Sequence, residues 1–255
     1  MEQLTIVKVG GRIVEEHDSL QRLLADFSKI DGPKLLVHGG GRSATQLAEK
    51  LQIQSRIIDG RRITDSETLK VVTMVYAGLV NKTIVAQLQA LHLNALGLTG
   101  ADMNIILSEK RPVATIDYGF VGDIKRIDVS LLSDLIRRQI VPVLAPLTHD
   151  GKGMLLNTNA DTIAGEIAKS LARSFDVRLI FCFEKKGVLR NESDDESVIA
   201  EITRSSFETF VSQGIIRGGM IPKLENAFDA IRSGVKEVVI TQASEIHSGK
   251  GTRII

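Results

Sequence analysis

Leu35-Leu36-Val37-His38-Gly39-Gly40-Gly41 is a short apolar run that ends in three consecutive glycines. The apolar run predicts a buried strand, and the periodicity of residues 42–51 predicts a helix directly after it. Because glycine has no Cβ, a turn of three glycines leaves its backbone N–H groups accessible. The start of a helix adds partial positive charge, so this turn suits a bound anion such as phosphate. We expect His38 to have only a structural role.

A second turn of this kind lies near the N-terminus, where an apolar run over residues 4–9 is followed by Gly10 and Gly11. Lys8 lies in this run, next to the glycines, and should project at the carboxyl edge of the sheet. Open α/β sheets bind their ligands at that edge. A solvated strand-end lysine is the simpler alternative, but beside two glycines we favour contact with a phosphate. Two such turns favour a group-transfer enzyme over a simple binding protein.

The composition is that of a soluble globular protein, with 255 residues, 43% hydrophobic residues, 25% charged residues and a net charge of +1. No basic run with interleaved aromatic residues is present, and tryptophan is absent, which argues against a nucleic-acid partner. The single cysteine, Cys182, lies in an apolar run and is expected to be reduced and buried. We recognise no signal peptide or membrane-spanning run, so we expect a cytoplasmic protein without a membrane partner.

Strand-like and helix-like runs alternate along the chain, which predicts an α/β fold with a largely parallel sheet and helices on both faces. Residues 105–129 differ, since short β-like pieces alternate there with turn residues, and we interpret them as an antiparallel flap. The predicted strands are 4–9, 35–37, 94–98, 140–145, 177–183 and 237–241; the predicted helices are 19–29, 42–51, 65–92, 131–138, 161–173, 205–213 and 220–233.

We expect a single domain over residues 1–255, with an internal boundary after the turn residues 150–153, near Asn159. The acidic stretch from Glu192 to Glu196 is expected to be a solvated loop. The long helix over residues 65–92 carries apolar positions on more than one side. This excess predicts a surface for a partner, although a deeply buried helix would explain it nearly as well.

Three further motifs combine turn residues with side chains that can bind anions. The first, Gly60 to Thr64, contains Arg62, whose guanidinium could hold a carboxylate with two hydrogen bonds or could simply lie on the surface. The second, Asn157 to Asp161, precedes a helix; Asn159 or Asp161 could be an N-cap, and Asp161 could hold lysine ammonium groups. The third, Gly218 to Lys223, places a lysine in the first turn of a helix after two glycines.

These residues are sufficient for one chemistry, the transfer of a phosphoryl group from a nucleotide to a carboxylate. The acceptor has a pKa of about 4 and is already ionised, so no general base is needed. The enzyme must reduce the repulsion between two anions and stabilise charge on the group in transfer. Lys8 and Lys223 could do this from the two sides of the phosphoryl group. Mg²⁺ could be held mainly by phosphate oxygens and water, so we predict no metal site on the protein.

At this point the chain resembles the amino acid kinases, and within them the enzymes that phosphorylate N-acetyl-L-glutamate in arginine biosynthesis. The resemblance covers nearly the whole chain in family order, and it implies a three-layer αβα sandwich with an open, mainly parallel sheet. It also implies that residues 1–158 bind the acyl amino acid and residues 159–255 bind ATP. The matching motifs are KVGG at 8–11, HGGG at 38–41, GRRIT at 60–64, GLTGAD at 97–102, GFVGDI at 119–124, NTNAD at 157–161, GGMIPK at 218–223 and GTRI at 251–254.

The resemblance also implies roles for individual residues. Lys8 and Lys223 would stabilise the transition state, and Asp161 would organise them. The long helix would form a twofold homodimer interface. The acyl amino acid would be bound by Gly40, Gly41, Arg62 and Asn157, and the nucleotide by Gly10, Gly11, Glu184, Lys185, Lys186, Gly187, Val188, Leu189, Ile215, Ile216 and Arg217.

The chain departs from the family pattern in two places. Relatives usually carry Ser or Thr followed by Asp after the fifth strand, where this chain has Phe183-Glu184, so the adenosine contacts are the least defined part of the site. The chain also lacks the N-terminal helix with which arginine-inhibited members form hexamers. We therefore expect a dimer without arginine feedback.

Several alternatives remain open at the level of sequence. The acyl group could be succinyl in place of acetyl, with the flap and residues 42–44 deciding between them. A uridylate, carbamate or aspartate kinase fits the arginine turn less well. A non-catalytic sensor of amino acid or nucleotide would be favoured by loss of either lysine, and both are present. A dinucleotide-dependent oxidoreductase is weakened by the absence of the G-x-G-x-x-G fingerprint.

Overall fold

A computed structural model describes residues 1–58 and 60–255. Its central sheet has eight strands in the order β12-β14-β13-β11-β1-β2-β8-β5. The six strands from β13 to β5 in this order pair in parallel, and only β14 and β12 run the other way. The strands are β1 (Gln3–Val9), β2 (Lys34–His38), β3 (Ile57–Ile58), β4 (Arg61–Arg62), β5 (Ala95–Leu98), β6 (Ile106–Lys110), β7 (Gly122–Ile127), β8 (Val141–Leu144), β9 (Leu147–His149), β10 (Leu155–Asn157), β11 (Asp176–Phe183), β12 (Glu201–Ile202), β13 (Glu237–Gln242) and β14 (Thr252–Ile254).

Helices cover both faces of this sheet, and each face has its own apolar core. Alternate residues of a strand point to opposite faces, so Ile6 of β1 packs in one core and Val7 packs in the other. The predicted three-layer αβα sandwich with an open, mainly parallel sheet is confirmed. The helices are α1 (Gly11–Glu15), α2 (His17–Ser28), α3 (Gly41–Lys50), α4 (Ser66–Ala90), α5 (Val129–Arg137), α6 (Ala160–Leu171), α7 (Arg204–Ser212) and α8 (Met220–Arg232).

The six predicted strands all lie in the central sheet, and the seven predicted helices begin and end within two residues of the observed ones. The short elements α1, β3, β4, β12 and β14 were not predicted. A five-residue helix and strands of two or three residues are too short to show a period, so the sequence pattern carries no signal for them.

The predicted flap over residues 105–129 is confirmed as the antiparallel pair of β6 and β7. It is larger than predicted, because β9 and β10 extend it to four strands in the order β10-β9-β6-β7. The turn residues 150–153, next to which we expected an internal boundary, therefore join two strands of the flap. The boundary near Asn159 does not divide the central sheet, since β1 pairs with both β2 and β11.

Helix α4 is the long helix predicted from residues 65–92. Its middle turns, Thr73–Val80, are π-helical, an irregularity that frequently marks functional sites. By length and composition α4 is the one helix in the described part of the chain that could cross a membrane, and 44% of its most apolar window is buried inside the fold. Met74 and Leu79 are 51% and 64% exposed. The apolar side chains of α4 therefore lie partly in the core and partly on an exposed surface.

His38 ends β2 and is completely buried. Its Nδ1 lies 2.7 Å from the carbonyl oxygen of Gly39, and its Nε2 lies 3.1 Å from Nδ2 of Asn81 on α4. A neutral imidazole satisfies both contacts, because Nδ1–H donates to Gly39 while Nε2 accepts from Asn81. Burial lowers the pKa of His38 to about 4, although the hydrogen bond to Gly39 opposes this shift. The ring is structural, as expected.

This burial predicts that stability depends on pH below neutrality. The unfolded chain binds a proton on His38 below pH 6.5, while the folded chain does so only near pH 4. The free energy of unfolding should therefore fall by about 2 kcal/mol through this residue between pH 7 and pH 5. Urea unfolding at the two pH values measures the change. His38→Gln removes the titrating group, so the variant should lose about 2 kcal/mol less than the parent over the same interval. An equal loss in both proteins would contradict the prediction.

Candidate active site

The two predicted glycine turns meet at the carboxyl edge of the sheet. Helix α3 begins at Gly41 after Gly40, whose φ of 157° favours glycine, and the Glu15 carboxylate accepts a hydrogen bond at 2.6 Å from the amide of Ser43 in the first turn of this helix. A Cβ added to Gly11 would lie 3.3 Å from the amide nitrogen of Gly41 and 3.4 Å from that of Gly40. The N-terminal and triple-glycine turns therefore form one surface that includes the amides of Gly40 and Gly41, while the amides of Gly10 and Gly39 donate to the carbonyls of Cys182 and Val9.

Lys8 and Asp161 form a buried ion pair beside this surface. Lys8 points to the face of the sheet that α6 covers, and the Asp161 carboxylate in the first turn of α6 lies 2.7 Å from the Lys8 ammonium. The neighbouring residue Asn159 is the N-cap, because its side chain accepts a hydrogen bond from the amide of Thr162. Of the two roles left open for this motif, capping belongs to Asn159 and the contact with lysine belongs to Asp161.

Lys223 approaches the same point from α8, where it lies in the first turn as predicted. Burial raises the pKa of Asp161, but Lys8 and then Lys223 outweigh burial and hold this pKa below its usual range. Burial lowers the pKa of Lys223, an effect that Asp161 opposes and Lys8 reinforces. Two ammonium groups and one carboxylate therefore share the space beside the glycine surface, which leaves an excess of positive charge there.

A small cavity of about 170 Å³ opens on one side of the glycine surface. All four residues predicted to bind the acyl amino acid line it, namely Gly40, Gly41, Arg62 and Asn157. Thr64 connects the last two, since its hydroxyl accepts a hydrogen bond from Nδ2 of Asn157 and donates one to the carbonyl of Arg62. The arginine turn and the Asn157 motif, 93 residues apart in sequence, thus form one wall.

The Arg62 guanidinium is engaged more fully than expected. Its Nη2 donates to the Gly41 carbonyl at 2.7 Å and to the Thr45 hydroxyl at 2.8 Å, and its Nη1 donates to Ser55. Its buried Nε has no hydrogen-bond partner among the described residues. The sequence suggested that the guanidinium binds a carboxylate through two hydrogen bonds, whereas three of its five N–H groups already donate within the protein and two, on Nε and Nη1, are left for a ligand. Nη2 holds the start of α3 in place, and Nη1 holds Ser55 in the segment that follows this helix.

A larger cavity of about 660 Å³ opens on the other side of the glycine surface, and both Lys8 and Lys223 line it. Lys186 is the one predicted nucleotide contact that is not on its wall, because its ammonium is directed to Glu196. The predicted nucleotide residues that do line it are Gly10, Gly11, Glu184, Lys185, Gly187, Val188, Leu189, Ile215, Ile216 and Arg217.

The charged residues at the rim of the larger cavity are paired with one another. The acidic stretch from Glu192 to Glu196 is exposed, as predicted. It is also directed at the rim, where Asp195 lies 2.7 Å from Lys185 and Glu192 lies 2.9 Å from Arg217. Such exposed pairs contribute little to stability. A bound polyanion can therefore compete for these cations.

Tyr76, Arg61 and Phe183 are among the cavity-lining side chains that the sequence did not single out as site residues. Tyr76 of α4 lines the small cavity, and a Cβ at Gly40 would lie 3.0 Å from its ring. Arg61 lines the same cavity, and burial lowers its pKa, as does the neighbouring Arg111. Phe183 lines the larger cavity. Tyr76 and Phe183 lie within apolar runs, where an inward-facing core residue and a ligand contact look alike, while Arg61 was in the quoted arginine turn.

The arrangement suits the joining of two anions. Amides of the glycine turns, two lysines and the Asp161 carboxylate lie between a small cavity and a larger one, which is the electrostatic environment that phosphoryl transfer needs. In the described residues no three His, Cys, Asp or Glu side chains are grouped closely enough to hold a metal ion.

Comparison with known proteins identifies the family. A model of the amino acid kinase family matches residues 3–242. The chain belongs to the amino acid kinase family. An acetylglutamate kinase of Parabacteroides distasonis is 69% identical over 254 residues, which cover 100% of both chains. An acetylglutamate kinase of Bacteroides thetaiotaomicron is 67% identical over 99% of this chain and 98% of its own length.

A solved structure shares the fold. The protein smu.665 from Streptococcus mutans UA159 superposes with a TM-score of 0.80 at 28% sequence identity, over 98% of both chains. The assignment of kinase activity toward a carboxyl acceptor is based on the acetylglutamate kinases that are 67–69% identical to this chain over 99–100% of its length. The roles of individual residues rest on the geometry described above.

The contact between the glycine turns predicts a position-specific effect on this kinase. A methyl group at residue 11 would press on the amides of Gly40 and Gly41, so Gly11→Ala should lower kcat by about tenfold or more. Gly165→Ala is the matched control, since a Cβ at that position in α6 meets nothing within 4 Å. The measurement is the steady-state kcat with ATP and the carboxylate acceptor. Equal kcat in both variants would show that the amides do not contribute to transfer.

Proposed function

We propose that this protein transfers the γ-phosphoryl group of ATP to the side-chain carboxylate of N-acetyl-L-glutamate, an early step of arginine biosynthesis. The observation that carries the proposal is the position of Lys8, Asp161 and Lys223 between two cavities that meet at one glycine surface. The relatives named acetylglutamate kinase match the full chain at up to 69% identity and support the same substrate.

The acyl amino acid would occupy the small cavity. The unpartnered Nε of Arg62 and the side chain of Asn157 offer contacts for the α-carboxylate, while Tyr76 and Val121 supply less polar surface. A carboxylate is well matched to a buried N–H that has no other acceptor, because leaving such a donor unpaired costs free energy. The side-chain carboxylate would then point toward the amides of Gly40 and Gly41.

The transfer step needs no proton movement. A side-chain carboxylate oxygen attacks the γ-phosphorus and forms the new P–O bond as the bond to the bridging β,γ-oxygen breaks, and ADP leaves with that electron pair. Lys8 and Lys223 stabilise negative charge on the phosphoryl oxygens, and Asp161 keeps the ammonium groups in place. Because the amides and lysines are positioned before the substrates arrive, little reorganisation accompanies the reaction.

The nucleotide would occupy the larger cavity, with its phosphates toward the two lysines. Gly187, Val188 and Ile216 form buried surface for the adenosine, and Lys185 and Arg217 are rim cations that phosphates can compete for. Mg²⁺ would arrive on the phosphate oxygens and neutralise part of their charge. The chemistry of the donor set fits this arrangement, since Asp161, the carboxylate nearest the lysines, is engaged by Lys8.

N-Succinyl-L-glutamate is a second candidate substrate, and Arg61 favours it. This arginine lines the small cavity, where it is half-buried, and burial together with Arg111 lowers its pKa. A second carboxylate on the acyl group would give its guanidinium a partner inside the cavity, which an acetyl methyl group cannot do.

We also propose that the protein acts as a cytoplasmic homodimer that associates through α4. Met74 and Leu79 are large apolar side chains exposed on its π-helical turns. A second copy of the same helix would remove them from water without requiring another partner.

A hydroxamate assay with ATP and Mg²⁺ tests the function. It offers N-acetyl-L-glutamate, N-succinyl-L-glutamate and L-aspartate in parallel, since hydroxylamine traps any acyl phosphate. We expect product with an acylated glutamate and little with aspartate. A larger kcat/KM for N-succinyl-L-glutamate than for N-acetyl-L-glutamate would identify the succinyl compound as the preferred substrate. No trapped product with any of the three acceptors would overturn the kinase function.

Replacement of either lysine should separate catalysis from binding. Lys8→Ala and Lys223→Ala should each lower kcat by about 100-fold or more, with a modest change in KM, because the lost contacts strengthen in the transition state. Steady-state kinetics with the preferred acceptor provides the measurement. Lys125→Ala is a suitable control, since this lysine is exposed and paired with Glu109 on the flap. Near-normal turnover in both active-site variants would mean that the lysines are not part of the transfer machinery.

A further inference from the structure

The aromatic ring of Phe183 lies close to both active-site lysines. The Lys223 ammonium is 3.7 Å from the centre of the ring, and the Lys8 ammonium is 5.2 Å from it. Both distances lie within the range in which a cation is attracted to the face of an aromatic ring. The Asp161 carboxylate contacts Lys8 at 2.7 Å. The two ammonium groups are thus held by one carboxylate and one ring.

The sheet fixes the ring in this position. Lys8 of β1 is the register partner of Phe181 on β11, so the two side chains leave the sheet on the same face. Phe183, two residues further along β11, points to that face as well. Its ring stacks on the ring of Phe181, with centroids 6.3 Å apart and planes inclined by 12°. Phe181 is only 3% exposed, so the ring beneath Phe183 is anchored in the core.

An aromatic ring holds a cation differently from a carboxylate. A second carboxylate at this point would neutralise the charge that the phosphoryl group needs. A ring attracts the ammonium through its quadrupole and carries no net charge, so the positive charge remains available. Lys223 is partly buried, and three other charged groups act on its ammonium. Asp161 and Glu184 attract it, and Lys8 repels it.

We propose that Phe183 is a positioning residue for phosphoryl transfer, whose ring holds the Lys223 ammonium, and more weakly that of Lys8, directed toward the transferred group. The proposal rests on the kinase function proposed above. It gives a function to Phe183, which stands where relatives usually carry the Ser or Thr that precedes an Asp.

Stepwise fluorination of the ring tests the attraction directly. Phenylalanine analogues with one, two and three fluorines are incorporated at residue 183 of the full-length protein, which weakens the negative face while nearly preserving ring shape. We expect kcat to fall at each step, by about tenfold in total, with KM for ATP little changed. The same series at Phe181 is the matched control, because that ring stacks on Phe183 and is in contact with neither ammonium in the described interactions.

Two ordinary substitutions give an independent readout. Phe183→Leu keeps an apolar side chain but removes the ring, and it should lower kcat about tenfold. Phe183→Tyr keeps the aromatic face and should restore most of that loss. Thermal unfolding of each variant identifies any protein that is not folded. If either variant is unfolded, the fluorinated series tests the proposal in its place.

Three results would overturn the proposal while leaving the kinase function intact. One is a wild-type kcat for Phe183→Leu. Another is an equal decline of kcat in the two fluorinated series, which would indicate packing alone. The third is an effect confined to KM for ATP, which would make the ring a nucleotide contact. An inactive parent protein would instead disprove the proposed function.

Discussion

The ion pair between Lys8 and Asp161 is the interaction on which the rest of the site depends. It joins the end of β1 to the first turn of α6, two elements that are more than 150 residues apart in sequence. Breaking a buried pair by removing one partner leaves a charge without compensation, which is strongly destabilising. The pair therefore fixes where α6 begins relative to the sheet, and with it the position of the Asn157 motif that lines the small cavity.

The charges around this pair are arranged so that an excess of positive charge remains between the two cavities. Lys8 and Lys223 are opposed mainly by Asp161 at the centre, with Glu184 as a weaker opposing charge on Lys223, whereas cations at the rim of the larger cavity are matched by carboxylates of the acidic stretch. The central excess is buried and weakly screened, while the rim pairs are exposed and easily exchanged. Two anionic substrates would thus meet the central excess of positive charge where they must approach each other.

Sequence patterns predicted the framework well, because buried parallel strands appear as continuous apolar runs and long helices show a clear period. The glycine turns and both lysines were singled out from local sequence, because a lysine close to glycines, at the end of a strand for Lys8 and at the start of a helix for Lys223, can contact a bound phosphate. The pattern could not show that Arg62 uses its terminal nitrogens to hold α3 and Ser55, since Gly41, Thr45 and Ser55 come together around the guanidinium only in the folded chain. Nor could it show that Lys186 is directed to Glu196.

The site combines rigid and adaptable parts, and each requires the other. The amides of the glycine turns are fixed by the backbone, so they cannot follow a phosphoryl group as it moves from donor to acceptor. Lysine side chains can follow it, but a free lysine loses rotamer entropy each time it is ordered. Asp161 and the Phe183 ring restrict the lysines before the substrates bind. Asp161 does so through its charge, and the ring does so without neutralising the charge of the ammonium groups. The cost of ordering is then met when the protein folds, and the binding energy of the substrates remains available for the transition state.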